Sequence, residues 1–135
     1  MELSLEKNIE GLNAAAQQIF QNNKAKGFWD KERNVGELLM LVTSELGEAM
    51  EAHRKAKFAD WENYSGFCLQ SNYNKNSFDS TSFGHYIKDT FEDEISDAVI
   101  RLMDLSAGLG IDLEKHIAAK VMYNESRPKL HGKSY

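Results

Sequence analysis

Proline occurs once in this chain, at Pro128, so nothing before it carries the residue that most reliably breaks a helix. Apolar residues across that stretch recur mainly at three- and four-residue spacing, the period of a helix packed on one face. The stripe Leu5, Ile9, Leu12, Ala16, Ile19 and Phe20 predicts a first helix, capped by Ser4 and closing before Gly27. After the link FWDKERN, Asn34 with Glu37 three residues on resembles a capping box. It opens a second helix reaching about Lys57, with Leu38, Leu41, Val42, Leu46, Ala49 and Ala52 as its stripe. A third helix starts near Asp89 or Thr90, carries Phe91, Ile95, Ala98, Leu102 and Leu105 inward, and ends around Gly108–Gly110. Asp112 caps a fourth, with Leu113, Ile117 and Val121 inward, and Pro128 stops it. The basic tail KLHGKSY reads as mobile or draped over a neighbour.

Between the second and third helices, residues 58–87 hold no period for long and are rich in Asn, Ser, Gly and aromatics. They read as an irregular insertion, with a short strand pair as the alternative. The expected architecture is therefore all-α: one domain over residues 1–135, a four-helix bundle interrupted by the insertion.

The stripes carry an anomaly. Glu45 falls on that of the second helix with Glu48 beside it; Glu94 interrupts that of the third and Asp97 borders it. Residues three apart are neighbours on a helix face, so each pair places two carboxylates side by side. Carboxylates are rarely buried unless paired or bound to a metal. Two such pairs facing one another would repel strongly without a cation between them. Hard divalent cations take oxygen ligands, and magnesium completes its shell with waters and substrate phosphates. Zinc is disfavoured: His53, His85, His116 and His131 are scattered and Cys68 is alone. A di-iron bundle site would place histidine three residues after glutamate, which neither pair does.

A net charge of −5 argues against a nucleic-acid backbone as partner, because phosphate binding needs a basic surface. No charged-then-apolar leader and no long apolar run is evident. A single cysteine suits a reducing compartment. A soluble cytoplasmic protein is expected, with no membrane partner.

The segments SELGEAMEA and EDEISDAVIRLMDLSAGLGIDLEKHIAAKVMYNESRP resemble the MazG-type all-α nucleotide pyrophosphohydrolases. That family carries an EExxE motif on one helix, ExxD on the next, and a Lys-x-x-x-Asn pair on a further helix. The resemblance covers roughly residues 5–57 and 88–133 and leaves the insertion unmatched. Ser44 stands where the first glutamate of EExxE is expected, and the gap from Glu48 to Glu94 is longer than usual.

What the resemblance implies is a MazG-type fold and magnesium-dependent hydrolysis of a nucleoside triphosphate to monophosphate and pyrophosphate, in nucleotide-pool house-cleaning. Glu45, Glu48, Glu94 and Asp97 would be the catalytic metal ligands for Mg2+, with Mn2+ as a substitute. Lys120 and Asn124 match the Lys-x-x-x-Asn pair, and Arg127 follows; an ammonium, an amide and a planar fork suit phosphates. Each has a structural alternative: a snorkelling lysine, an amide capping a helix end, an arginine paired with Glu125. Phe28 and Trp29 would stack on a base or, more commonly for such rings, pack the core; Trp29 is the base-stacking candidate. Trp61, Tyr64, Phe67, Tyr73, Phe78, Phe83 and Tyr86 give the insertion apolar surface suited to packing or subunit contact. A homodimer or homotetramer is expected from the family. The alternatives are a non-catalytic helical interaction protein and a carboxylate-bound iron or manganese bundle.

Overall fold

The computed structural model describes residues 9–64 and 78–134, without the side chain of His131. Every regular element among them is helical: α1 (Leu12–Ala25), α2 (Val35–Arg54), α3 (Ser80–Tyr86), α4 (Phe91–Gly108), α5 (Leu113–Glu125) and a 3-10 turn over Lys129–Gly132. There is no strand among the described residues, and no described helix is long and apolar enough to cross a membrane. The expected cap at Ser4, the start of its stripe at Leu5, and Phe67, Cys68 and Tyr73 lie outside the described residues.

The helix ends follow from local chemistry. The Asn34 side chain accepts from the Glu37 backbone N–H at 3.1 Å and starts α2; Asp112 accepts from Lys115 N–H at 3.0 Å and starts α5. Three helices close on one device, a left-handed residue that lets the next N–H return to a carbonyl five positions back. In α1 the pivot is Gly27 (φ 87°), with Phe28 N–H donating to Asn23 C=O; in α4 it is Gly110 (φ 70°), with Ile111 N–H donating to Ser106 C=O. In α2 the pivot is Ala56 (φ 52°), with Lys57 N–H donating to Ala52 C=O at 2.9 Å.

The described part of the insertion contains a helix that its composition does not suggest. In place of an irregular stretch or strand pair, residues Ser80–Tyr86 form α3, capped by Asp79, whose carboxylate accepts from Thr81 and Ser82 N–H. A seven-residue helix has too few turns to show a period, so its signal was the cap alone. Tyr64 is buried and edge-on to Phe83 and Trp61, while His53, Phe58 and Phe91 form a second edge-to-face trio. Backbone bonds from Phe91 N–H to Lys57 C=O (2.9 Å) and from Asp60 N–H to Tyr86 C=O (3.0 Å) close the insertion at its base, the first between the flanking segments and the second between its own two ends. The tail likewise contains a 3-10 turn at Lys129–Gly132.

The described chain falls into two compact units. One holds residues 9–32 and 103–134, the other 33–64 and 78–102. In the first, α1 and α5 are clamped at their starts: Asn13 N–H donates to Glu114 Oε1, Glu114 N–H donates back to Asn13 Oδ1, and Asn13 Nδ2 donates to Asp112 at 2.7 Å. Leu113, Ile117 and Val121 are half-buried, on the side expected. In the second unit, the buried face of α2 is Leu38, Val42, Glu45, Ala49 and Ala52. Leu46, expected inward, is 50% exposed, because the alternating four- and three-residue steps of the buried face land on Glu45 instead. In α4, Ile95 and Leu102 are likewise exposed, and the buried line runs through Glu94 and Ala98 to Leu105.

Ala56 holds a backbone conformation that glycine takes without strain. Ala56→Gly should stabilise the protein by about 0.5–1 kcal/mol, read as a raised midpoint in urea with an unchanged slope.

Candidate metal centre

Glu45 occupies a core position of α2, and Glu94 a core position of α4, held one turn inside a helix start where the Thr90 hydroxyl accepts from Asp93 N–H. Asp97 follows three residues after Glu94 on the same side and is half-buried. Carboxylate oxygens of Glu45, Glu94 and Asp97 all lie within 4.8 Å of one another. Glu45 is 7% exposed and Glu94 5%. Glu48, one turn along α2, is exposed and lies outside that trio, but it accepts a hydrogen bond from the Glu94 carboxyl when Glu94 is protonated.

Burial pushes the Glu94 carboxyl up to about 7, and the negative charges of Glu48, Asp97 and Glu45 add to the shift. Asp97 is raised as well, by burial first and then by Asp93 and Glu45, with Arg101 pulling the other way. The cation at the cluster is Arg101, whose Nε donates to Glu45 Oε1 at 2.5 Å. Sequence reasoning passed over Arg101, although its position four residues after Asp97 is the spacing of a helical ion pair. Ser44, at the place of a missing acid, donates its hydroxyl to Leu41 C=O at 2.7 Å.

The donor set fits a hard divalent cation. It is all oxygen, anionic and short of positive charge, and two ligands on one octahedral magnesium stand roughly 3–4 Å apart, within reach of small side-chain rotations from the observed spacing. Among the described residues no histidine joins the trio. His53 is packed edge-on against Phe58 and Phe91.

The remaining site candidates from the sequence, Trp29, Lys120, Asn124 and Arg127, belong to the other compact unit. Trp29 is half-buried; its indole N–H donates to Asp104 Oδ1 at 3.0 Å and its ring meets Phe20 edge-on at 5.2 Å. A Cβ on Gly108 would come within 2.5 Å of the same ring, so the absence of a side chain there is what admits the indole. Lys120 Nζ lies 5.0 Å from the centre of the Tyr123 ring and Arg127 Cζ 5.5 Å, which makes Tyr123 a shared cation–π partner absent from the sequence reading. Asn124 is half-buried beside them on α5.

Comparison of the chain with family models, with curated proteins and with solved structures gave no match. Its chemistry is therefore read from its own residues.

The raised Glu94 carboxyl fixes the sign of a pH effect. In the unfolded chain the group titrates near its ordinary 4.5, in the fold at about 7, so the stability it contributes is full below pH 4.5 and is lost as pH rises towards 7. The full loss is on the order of 3 kcal/mol. Glu94→Gln should flatten that part of the profile and leave the metal-free protein more stable than wild type at pH 8, checked by calorimetric melts across pH 4–8. Identical profiles for the two proteins would refute the assignment.

Proposed function

We propose that this protein is a divalent-cation-dependent nucleoside triphosphate pyrophosphohydrolase of the MazG type, working in nucleotide-pool house-cleaning. The observation that carries the reading is the convergence of Glu45, Glu94 and Asp97 from two helices, two of them buried, where the three carboxylates can all be ionised only with positive charge beside them. Glu45, Glu94 and Asp97, with Glu48 beside them, would hold Mg2+, or Mn2+ in its place. When bound, the ion supplies charge neutralisation at phosphate oxygens and acidifies a coordinated water.

The chain's own part is positioning and proton handling. A carboxylate of the cluster takes the proton of a water whose oxygen attacks the α-phosphorus. The bond from that phosphorus to its bridging oxygen breaks, pyrophosphate leaves, and the monophosphate remains. Burial of Glu45 and Glu94 keeps bulk water from screening the charges involved. The family resemblance also assigns Lys120, Asn124 and Arg127 to phosphate contact and makes Trp29 the base-stacking candidate. The reading of the acidic site stands without them. The tie of Trp29 to Asp104 and Phe20 favours packing for that ring.

A four-helix bundle, a cytoplasmic location and a homodimer or homotetramer complete the proposal. Supporting assembly are apolar side chains turned outward in the acid-bearing unit: Leu46, Met50, Val99 and Leu102.

A screen of the common nucleoside triphosphates should find one or more cleaved to monophosphate with magnesium-dependent pyrophosphate release. Asp97→Asn and Glu48→Gln should each lower turnover at least about a hundredfold, as expected when a ligand of the catalytic ion is lost, while melting no lower than wild type without metal. A folded protein that binds magnesium but cleaves no nucleotide would exclude the hydrolase reading. Near-normal turnover by either variant would exclude its ligand assignment.

A further inference from the structure

Arg101 is not one of the residues the hydrolase reading needs, yet it is the cation in contact with the cluster. Its Nε donates to Glu45 Oε1 at 2.5 Å, with the Glu45 side chain 9% exposed and that of Arg101 41% exposed. A guanidinium has five N–H donors in a rigid fork. Among the described residues its hydrogen bond is made by Nε–H alone, while its charge also acts on Asp97, so both terminal NH2 groups keep donors to offer on the more exposed end of the side chain.

We propose that Arg101 is an exchangeable counter-ion that couples cation loading at the acidic site to phosphate binding, holding Glu45 in the metal-free protein and passing to the phosphate of a bound ligand. The inference rests on the hydrolase reading of the site. A buried carboxylate left without a partner is strongly unfavourable, so something must face Glu45 when no metal does. A divalent cation on the same carboxylate would stand within a few ångströms of the guanidinium, where like charges in a partly buried setting repel. Arg101 is the mobile partner of the two: its long side chain is exposed enough to swing out, and Glu45 is not. Its fork matches two oxygens of a phosphate, so a phosphate arriving beside the metal gives the displaced guanidinium a new partner. Loading by the ion alone is thereby opposed, and loading with a phosphate ligand is favoured.

The two arms of the test move in opposite directions. Without any phosphate, Arg101→Gln should bind Mn2+ about three- to tenfold more tightly than wild type, because the competitor is gone. At saturating Mg2+, the same variant should bind methylenediphosphonate, a base-free and non-hydrolysable pyrophosphate analogue, about tenfold more weakly. A merely structural arginine would loosen the site and weaken both. Arg101→Lys keeps the charge but not the fork; it should hold Mn2+ affinity near wild type and still weaken the analogue, and it decides the matter alone if Arg101→Gln fails to fold. Unchanged or weaker Mn2+ binding by folded Arg101→Gln, or undiminished analogue binding by Arg101→Lys, would overturn the proposal and leave the hydrolase reading standing. Failure of folded wild type to bind Mn2+ or Mg2+ at all would remove the metal site and this role with it.

Discussion

Glu94 is a carboxylate at a core position, with the carboxylates of Glu45, Glu48 and Asp97 close enough to raise its proton affinity. Burial of one such group is unfavourable, and burial beside others is more so. Replacing one of these acids by an amide of similar size would relieve the repulsion, so packing alone does not account for them. Protonation of Glu94 or positive charge makes the arrangement self-consistent, and among the described residues the cation in contact with it is the Arg101 guanidinium at Glu45. The helices of the acid-bearing unit serve to hold this costly group together.

That requires fixed helix ends. The start of α2 is set by Asn34, its end by the left-handed Ala56, and the start of α4 by Thr90. The bond from Phe91 N–H to Lys57 C=O ties the end of one acid-bearing helix to the start of the other. The backbone N–H of Ala59 donating to Glu92 at 2.9 Å reinforces the same junction. A long insertion therefore leaves the spacing of the acids intact: its two ends are joined by backbone bonds within a few residues of where it departs and returns.

Much of this was legible in the sequence, for a physical reason. Caps such as Asn34 and Asp112, and pivots such as Gly27 and Gly110, act within five residues, so a local reading captures them. The acids were legible because they contradict their surroundings. The inward faces were harder. Leu46, Ile95, Val99 and Leu102 make α2 and α4 apolar on more than one side, and a one-residue turn of the helix wheel exchanges one set for another. Which of these apolar residues turn away from Glu45 and Glu94 becomes visible only once the helices have packed. The helix Ser80–Tyr86 was hidden by its brevity, and the tie between Trp29 and Asp104 by the 75 residues that separate them. Tyr123 carried no signal until two cations were seen over its ring.

The chemistry of the trio also separates the cations it would accept. Zinc and iron sites in helical bundles draw on imidazole or thiolate, and neither reaches this cluster among the described residues. An all-carboxylate set with Glu48 and solvent at its open side leaves positions for waters and phosphate oxygens, which is how magnesium is usually held. A resident arginine sharpens that preference. In the role proposed for it, Arg101 competes as a charge for Glu45, so an ion that binds weakly alone would displace it only when a second anion joins the site. Weak intrinsic affinity, water-rich coordination and phosphate dependence are properties of magnesium bound together with a nucleotide. On the proposed reading they set this site apart from one built for a permanently held structural or redox metal.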